Sequence, residues 1–221
     1  GGTAVVTGAA GGMGEHIARG LARRGCDVVL VDVLAEGLER VAESIRAESP
    51  AVTVTTDVVD LSDRGVVTVS GPDRLSWLHS LTTQHLLDLP PRTSRETLIL
   101  SPKGHVEHAL HVVDDGETTW LTVEPVTAPA LAAWLDSMRF MLRVEVADVS
   151  DDYAVLGESV DREGAEGEPA TWLDPWPRVV GDTATYGPAA EEHPARERRW
   201  REVIVPAADL PSAVGDRELV G

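Results

Sequence analysis

Four glycines and an aspartate carry the first chemistry legible in this chain. Gly8, Gly11, Gly12 and Gly14 follow the apolar run Ala4-Val5-Val6 and the Thr7 that ends it. Glycines let a backbone come close to a pyrophosphate. The first N–H groups of a following helix offer unpaired donors and a partial positive charge to that anion. Asp32 stands 18 residues after Gly14, at the tip of a second apolar run, Val28 to Val31. A carboxylate there accepts hydrogen bonds from a ribose 2′-hydroxyl and repels a 2′-phosphate, so NAD is expected in preference to NADP. Strand, turn, helix and acid at these spacings say more than a glycine turn alone.

The elements that must hold these residues follow from periodicity. Met13, Ile17 and Leu21, with Ala18 and Ala22 beside them, predict one apolar helix face ending near Arg23-Arg24-Gly25. Leu34, Leu38, Val41 and Ile45 predict a second helix, stopped by Ser49-Pro50. Val52 and Val54 start a third strand that is expected to end near Asp57-Val58. The order is βαβαβ, half of a doubly wound sheet.

This stretch, residues 3–62, resembles the short-chain dehydrogenase/reductase family. Thr7-Gly8-x-x-x-Gly12-x-Gly14 matches the family's glycine motif, with Met13 where Ile is more usual. Asp32 matches its NAD-selecting acid, and Asp57-Val58 the pair that holds the adenine. The resemblance implies NAD held by Thr7, Gly8, Gly12, Met13, Gly14, Asp32, Asp57 and Val58. It does not extend to the reaction, which needs a Tyr four residues before a Lys. Lys103 is the only lysine, and position 99 is Ile. Tyr153 and Tyr186 are followed four positions later by Gly157 and Ala190. Nothing then lowers a tyrosine pKa for proton transfer, and dehydrogenase catalysis is not expected.

Residues 57–70, DVVDLSDRGVVTVS, read as a seam. Beyond it Gly65 to Ser70 is a strand, Gly71-Pro72-Asp73 a turn, and Asp73 a helix cap. Leu75, Trp77, Leu78 and Leu81 give that helix its apolar side. Strands are expected at Thr97 to Leu100, Val106 to Val113 and Thr119 to Val123, joined by turns at Ser101 to Gly104 and Asp114 to Gly116. A helix from about Ala128 to Met138 and strands at Leu142 to Val146, Tyr153 to Leu156 and Val203 to Val205 complete an α+β unit of antiparallel hairpins. Residues 158–200, rich in Glu, Gly and Pro, read as long loop with Trp172 and Trp176 embedded. Asp209 to Gly221 reads as the approach to a helix.

The second segment resembles the YgfZ-type folate-binding proteins, relatives of the aminomethyltransferase of glycine cleavage. Val69-Ser70-Gly71-Pro72-Asp73-Arg74, Trp77-Leu78-His79-Ser80-Leu81-Thr82-Thr83-Gln84 and Leu100-Ser101-Pro102-Lys103-Gly104-His105-Val106 carry the likeness, with the run from Leu135 to Asp148. It implies tetrahydrofolate as ligand and a link to iron–sulfur cluster maturation and tRNA modification. Arg74 and Gln84 are the candidate folate contacts. The family's later Lys-Gly-Cys and Gly-Gln-Glu motifs are not found, since the one cysteine is Cys26. The chain thus divides into a partial Rossmann-like segment, 1–62, the first part of an aminomethyltransferase-like domain, 63–157, and an acidic continuation, 158–221.

Bulk properties narrow the partners. The net charge is −18, of which residues 1–62 carry −4. Such a surface repels phosphate backbones and anionic membranes, so neither is an expected partner. A single cysteine excludes an internal disulfide. His105, His108 and His111 tempt a metal reading, but alternation along a strand keeps the three from converging. No apolar run is long enough to span a bilayer, and the start lacks the layout of a signal peptide, so the cytoplasm is the expected compartment. Half a doubly wound sheet leaves an open edge through which copies could associate. Three readings follow: a YgfZ-like folate-binding protein, an NAD-binding dehydrogenase fragment, and a junction product without selected function.

Overall fold

The computed structural model describes residues 2–32, 35–56, 58–159, 164, 167–179, 193, 196, 199–214 and 219–220. It opens with β1 (Thr3–Thr7), α1 (Gly12–Ala22), β2 (Asp27–Val31), α2 (Ala35–Glu48) and β3 (Val54–Thr56). The three strands pair in parallel in the order β1-β2-β3. Alternate strand residues Val6, Val28, Leu30 and Val54 meet Ala18 and Ala22 of α1 and Leu38, Val41, Ala42 and Ile45 of α2. Leu38, Val41 and Ile45 of α2 pack as the periodicity predicts, Leu34 lying outside the described residues, while on α1 the buried face is Ala18 and Ala22 with Leu21 beside them. Met13 and Ile17 depart from the periodicity: they are 79% and 48% exposed, and Val5 on β1 is 53% exposed.

The chain then changes sheets. β4 (Val58–Asp60) pairs antiparallel with β10 (Tyr153–Glu158) and parallel with β13 (Leu219–Val220). The expected continuous third strand through Asp57-Val58 is therefore corrected. A strand needs hydrogen-bonding neighbours, and β10 and β13 supply both edges of β4. Asp57 itself lies outside the described residues.

Between them run β5 (Gly65–Ser70), α3 (Arg74–Leu81), β6 (Ser94–Leu100), β7 (Val106–Asp114), β8 (Thr118–Val123), α4 (Ala128–Met138) and β9 (Glu145–Asp148). These strands make an antiparallel sheet ordered β6-β7-β8-β5-β9. After β10 come β11 (Thr171–Leu173), α5 (Trp176–Val179), β12 (Arg201–Pro206) and α6 (Leu210–Val214). The expected long loop therefore holds a strand and a short helix, and the chain's last stretch a helix and β13. The order of this sheet is β11-β12-β10-β4-β13.

Strand alternation stacks the layers. Val67, Val69, Leu110, Val112, Leu121 and Val123 face α3 and α4, against Leu78, Leu131 and Leu135. On the reverse face Val66 and Trp120 meet Val155, Ile204 and Tyr153 of the other sheet. Ala154, Leu156 and Val205 point the opposite way, under Leu210, Ala213 and Val214 of α6. The result is helices, sheet, sheet, helix. The parallel unit touches this stack through Ser159, whose hydroxyl donates to the Asp32 carbonyl oxygen.

Asp73 does not cap α3 with its side chain. Its carboxylate takes the Arg143 backbone N–H at 2.9 Å and the Arg143 guanidinium, which holds its pKa below the usual range. A charged donor outcompetes a neutral helix N–H for the same oxygens.

Gly14 fixes the closest approach in the parallel unit. A Cβ there would lie 2.1 Å from the Gly8 carbonyl oxygen, a backbone atom that cannot step aside. Gly14→Ala is expected to lower stability by about 1–3 kcal/mol in denaturant titration, the ordinary cost of overpacking.

Candidate functional site

Polar groups converge at one end of the layer between the two antiparallel sheets. Register explains why. His111 sits opposite Thr122 and Glu96 within one sheet, and Gly157 opposite Glu202 within the other. Glu202 is 2% exposed, and its carboxylate accepts from His111 Nδ1 and Thr122 Oγ1, both at 3.0 Å. Arg64 approaches the other oxygen at 3.5 Å. Burial pushes the Glu202 carboxyl up, but the His111 and Thr122 hydrogen bonds and the Arg64 charge outweigh it and hold it below the usual range.

His111 also stacks on Trp172, ring centroids 3.7 Å apart and planes 3° from parallel. Trp172 is held from its other end, because Nε1 donates to the Arg95 carbonyl at 2.9 Å. Trp200 closes the cleft over Gly157, where a Cβ would come within 2.5 Å of the indole. Here only glycine leaves room.

Two cavities open from this core. One, of about 390 Å³, is lined by Arg64, Glu96, His111, Trp172, Asp174, Trp176, Trp200 and Glu202. The other, of about 550 Å³, is lined by Thr83, Gln84, Arg95, Glu96, Leu98, Pro175 and Trp176. Glu96 and Trp176 are common to both. Trp176 starts α5 and is 39% exposed; its backbone N–H donates to Asp174 Oδ1 at 2.9 Å. An aromatic face, an exposed carboxylate and a guanidinium line one opening. That set suits a flat heterocycle with N–H donors and an anionic tail.

Of the residues singled out from sequence, Gln84 lines the larger cavity. Arg74 does not enter either. Its Nε and Nη2 bond both oxygens of Asp114 at 2.8 Å, and the two side chains are 11% and 1% exposed. It is a buried structural pair rather than a ligand contact. Thr7, Gly8, Gly12, Met13, Gly14 and Asp32 gather at the carboxyl ends of β1 and β2. Gly8 and Gly12 take φ of 65° and 54°. Asp32 Oδ2 accepts the Ala10 N–H at 2.7 Å, so its carboxylate is turned onto the glycine turn. Val58 stands apart from them, paired to Leu219 in β4. Among the described residues no group of three or more His, Cys, Asp or Glu could hold a metal ion, and no helix is long and apolar enough to cross a membrane. Sequence reasoning missed Arg64, Glu96, Trp200 and Glu202. A glutamate inside an apolar strand, REVIVP, was the available signal for the last.

Two face-to-face sheets, antiparallel but for β13, with helices outside define an aminomethyltransferase-like mixed α/β fold. The glycine cleavage aminomethyltransferase T of Bartonella henselae shares it, with a TM-score of 0.50 and 17% identity over 74% of this chain and 47% of that one. More than half of the sequence, residues 27–157, matches the GCVT N-terminal domain, and the chain belongs to that family. An aminomethyltransferase of Bacillus velezensis is 34% identical over 80 residues, 36% of this chain and 22% of that protein. A cis-4-hydroxycyclohexanecarboxylate dehydrogenase of Sinomonas cyclohexanicum is 55% identical over 58 residues, 26% of this chain and 23% of that protein. The chain thus spans less than a quarter of the length of these curated relatives.

Glu202→Ala leaves Arg64 and His111 without the carboxylate they share, and is expected to cost about 3 kcal/mol. The Glu202 carboxyl is held low when folded, so its stabilisation is present above the ordinary glutamate range. It is lost as pH falls through the folded value. Urea midpoints between pH 7 and pH 3 should therefore fall less steeply in Glu202→Gln than in the parent chain.

Proposed function

We propose that this chain binds a reduced folate in the cleft shared by Glu96 and Trp176. The observation that supports it is that one indole and one carboxylate line two cavities with an arginine at the outer one. Trp176 would stack on the pterin, Glu96 would accept from its amino and ring N–H groups, and Arg95 would meet the glutamyl tail. Gln84 is placed to add a hydrogen bond from the same wall. Glu202, already engaged by His111 and Thr122, acts as the support of the cleft rather than as a contact.

At a finer level we read the second segment as YgfZ-type, with the link to iron–sulfur cluster maturation and tRNA modification that this carries, acting in the cytoplasm. A second reading concerns the parallel unit: NAD at the Gly8–Gly14 turn. It is favoured by the parallel β1-β2-β3 order and by the short match to a dehydrogenase. There Asp32 would exchange the Ala10 N–H for a ribose hydroxyl. Copies could pair through the open β1 edge. A joined chain without selected function remains the third reading, and one experiment separates all three.

Titration calorimetry with 5-formyltetrahydrofolate and with NAD is that experiment. Folate should bind saturably, and Trp176→Ala should weaken it about tenfold, the loss of one stacking contact. Arg74→Ala should lower stability without a comparable specific loss. Saturable NAD binding lost in Asp32→Ala would support the second reading. Binding of neither ligand at millimolar concentration would overturn both and leave the third.

A further inference from the structure

We propose that a second cavity in the inter-sheet layer, distinct from the Trp176 cleft, binds a compact organic ammonium ion. The same register that gathers His111 and Glu202 sets Val113 beside Trp120, two residues further along their strands, and Tyr153 beside Pro206, four residues further along theirs. Val66, Val155 and Ile204 pack against these two aromatic residues. The cavity holds about 370 Å³, room for a small organic molecule.

Its walls have a definite chemistry. Trp120 and Tyr153 meet edge to face, centroids 5.0 Å apart at 70°, and present an aromatic corner. Asp115 is fixed beside them. Its Oδ1 accepts the Glu117 and Thr118 backbone N–H groups at 2.9 and 2.7 Å, and its Oδ2 accepts Trp120 Nε1 at 2.8 Å. Burial alone would raise its pKa, but those hydrogen bonds outweigh it and hold the group below the usual range, so it stays an anion. Asp209 adds a carboxylate to the lining, and among the described lining residues the guanidinium is that of Arg92, which reaches the Gly164 carbonyl oxygen at 3.4 Å. Asp114, also at the wall, is already neutralised by Arg74. Among the described residues the lining therefore sets two carboxylates, Asp115 and Asp209, against one guanidinium, Arg92.

These features select among ligands. An anion meets those carboxylates. A neutral heterocycle gains nothing from them. A cation carrying methyl or methylene groups meets both the carboxylates and the aromatic faces. Metal cations lack the apolar surface that the Trp120–Tyr153 corner would cover.

The Trp120 indole N–H donates to Asp115 and so reports on this cavity. Its resonance in ¹⁵N-labelled protein is followed while tetramethylammonium chloride is added. Potassium chloride at equal ionic strength, sodium acetate and tert-butanol serve as controls. The expected result is a saturable shift with a midpoint on the order of a millimolar, absent with all three controls. Asp209→Asn should weaken it about tenfold while the spectrum stays dispersed, because that side chain makes no hydrogen bond among the described residues. A linear shift, an equal response to potassium, a response to acetate instead, or an unchanged midpoint in Asp209→Asn would overturn the proposal. The Trp176 cleft does not enter this readout, so the two sites stand or fall separately.

Discussion

Glu202 has 2% of its surface exposed and its carboxyl is held toward the ionised form, so its neighbours must supply donors. They come from three places far apart in sequence: Arg64 before β5, His111 on β7 and Thr122 on β8. An ion left without them would cost several kcal/mol. The two antiparallel sheets are thereby tied face to face at one end, where hydrophobic packing alone would let them slide. The cleft follows from that tie. His111, pinned by Glu202, offers its ring to Trp172, and Trp172 reaches back to Arg95.

Two other buried ion pairs repeat the device. Arg74 and Asp114 join the start of α3 to the end of β7 with two parallel hydrogen bonds. Glu158 and Arg201 pair where β10 meets β12. Each fixes register where alternation alone leaves a strand free to slip by two residues. Apolar contacts supply the driving force, in a helix–sheet core and in the thinner layer between the sheets.

Local features of the fold were legible in the sequence. The βαβαβ order could be read from Leu38, Val41 and Ile45 and from the glycine turn, because helix and strand periods are properties of short windows. The hairpins of β6, β7 and β8 were legible for the same reason. The partner of β4 was not, since Val58 finds Leu219 across most of the chain. Nor was the cleft: His111 and Glu202 are 91 residues apart, and nothing local announces their bond. Arg74 and Asp73 were misplaced because their true partners, Asp114 and Arg143, lie 40 and 70 residues away. Gln84 stayed close to a site because its loop borders β6, a neighbour already visible in the pattern.

The central claim is that the cleft around Glu96 and Trp176 is where this chain holds its ligand. Hydrogen exchange measured with and without saturating 5-formyltetrahydrofolate tests it most directly. Slowed exchange concentrated in β6 and in residues 171–179, with the Gly8–Gly14 turn unchanged, is the predicted result. Protection confined to the glycine turn, or none anywhere at saturation, would contradict it.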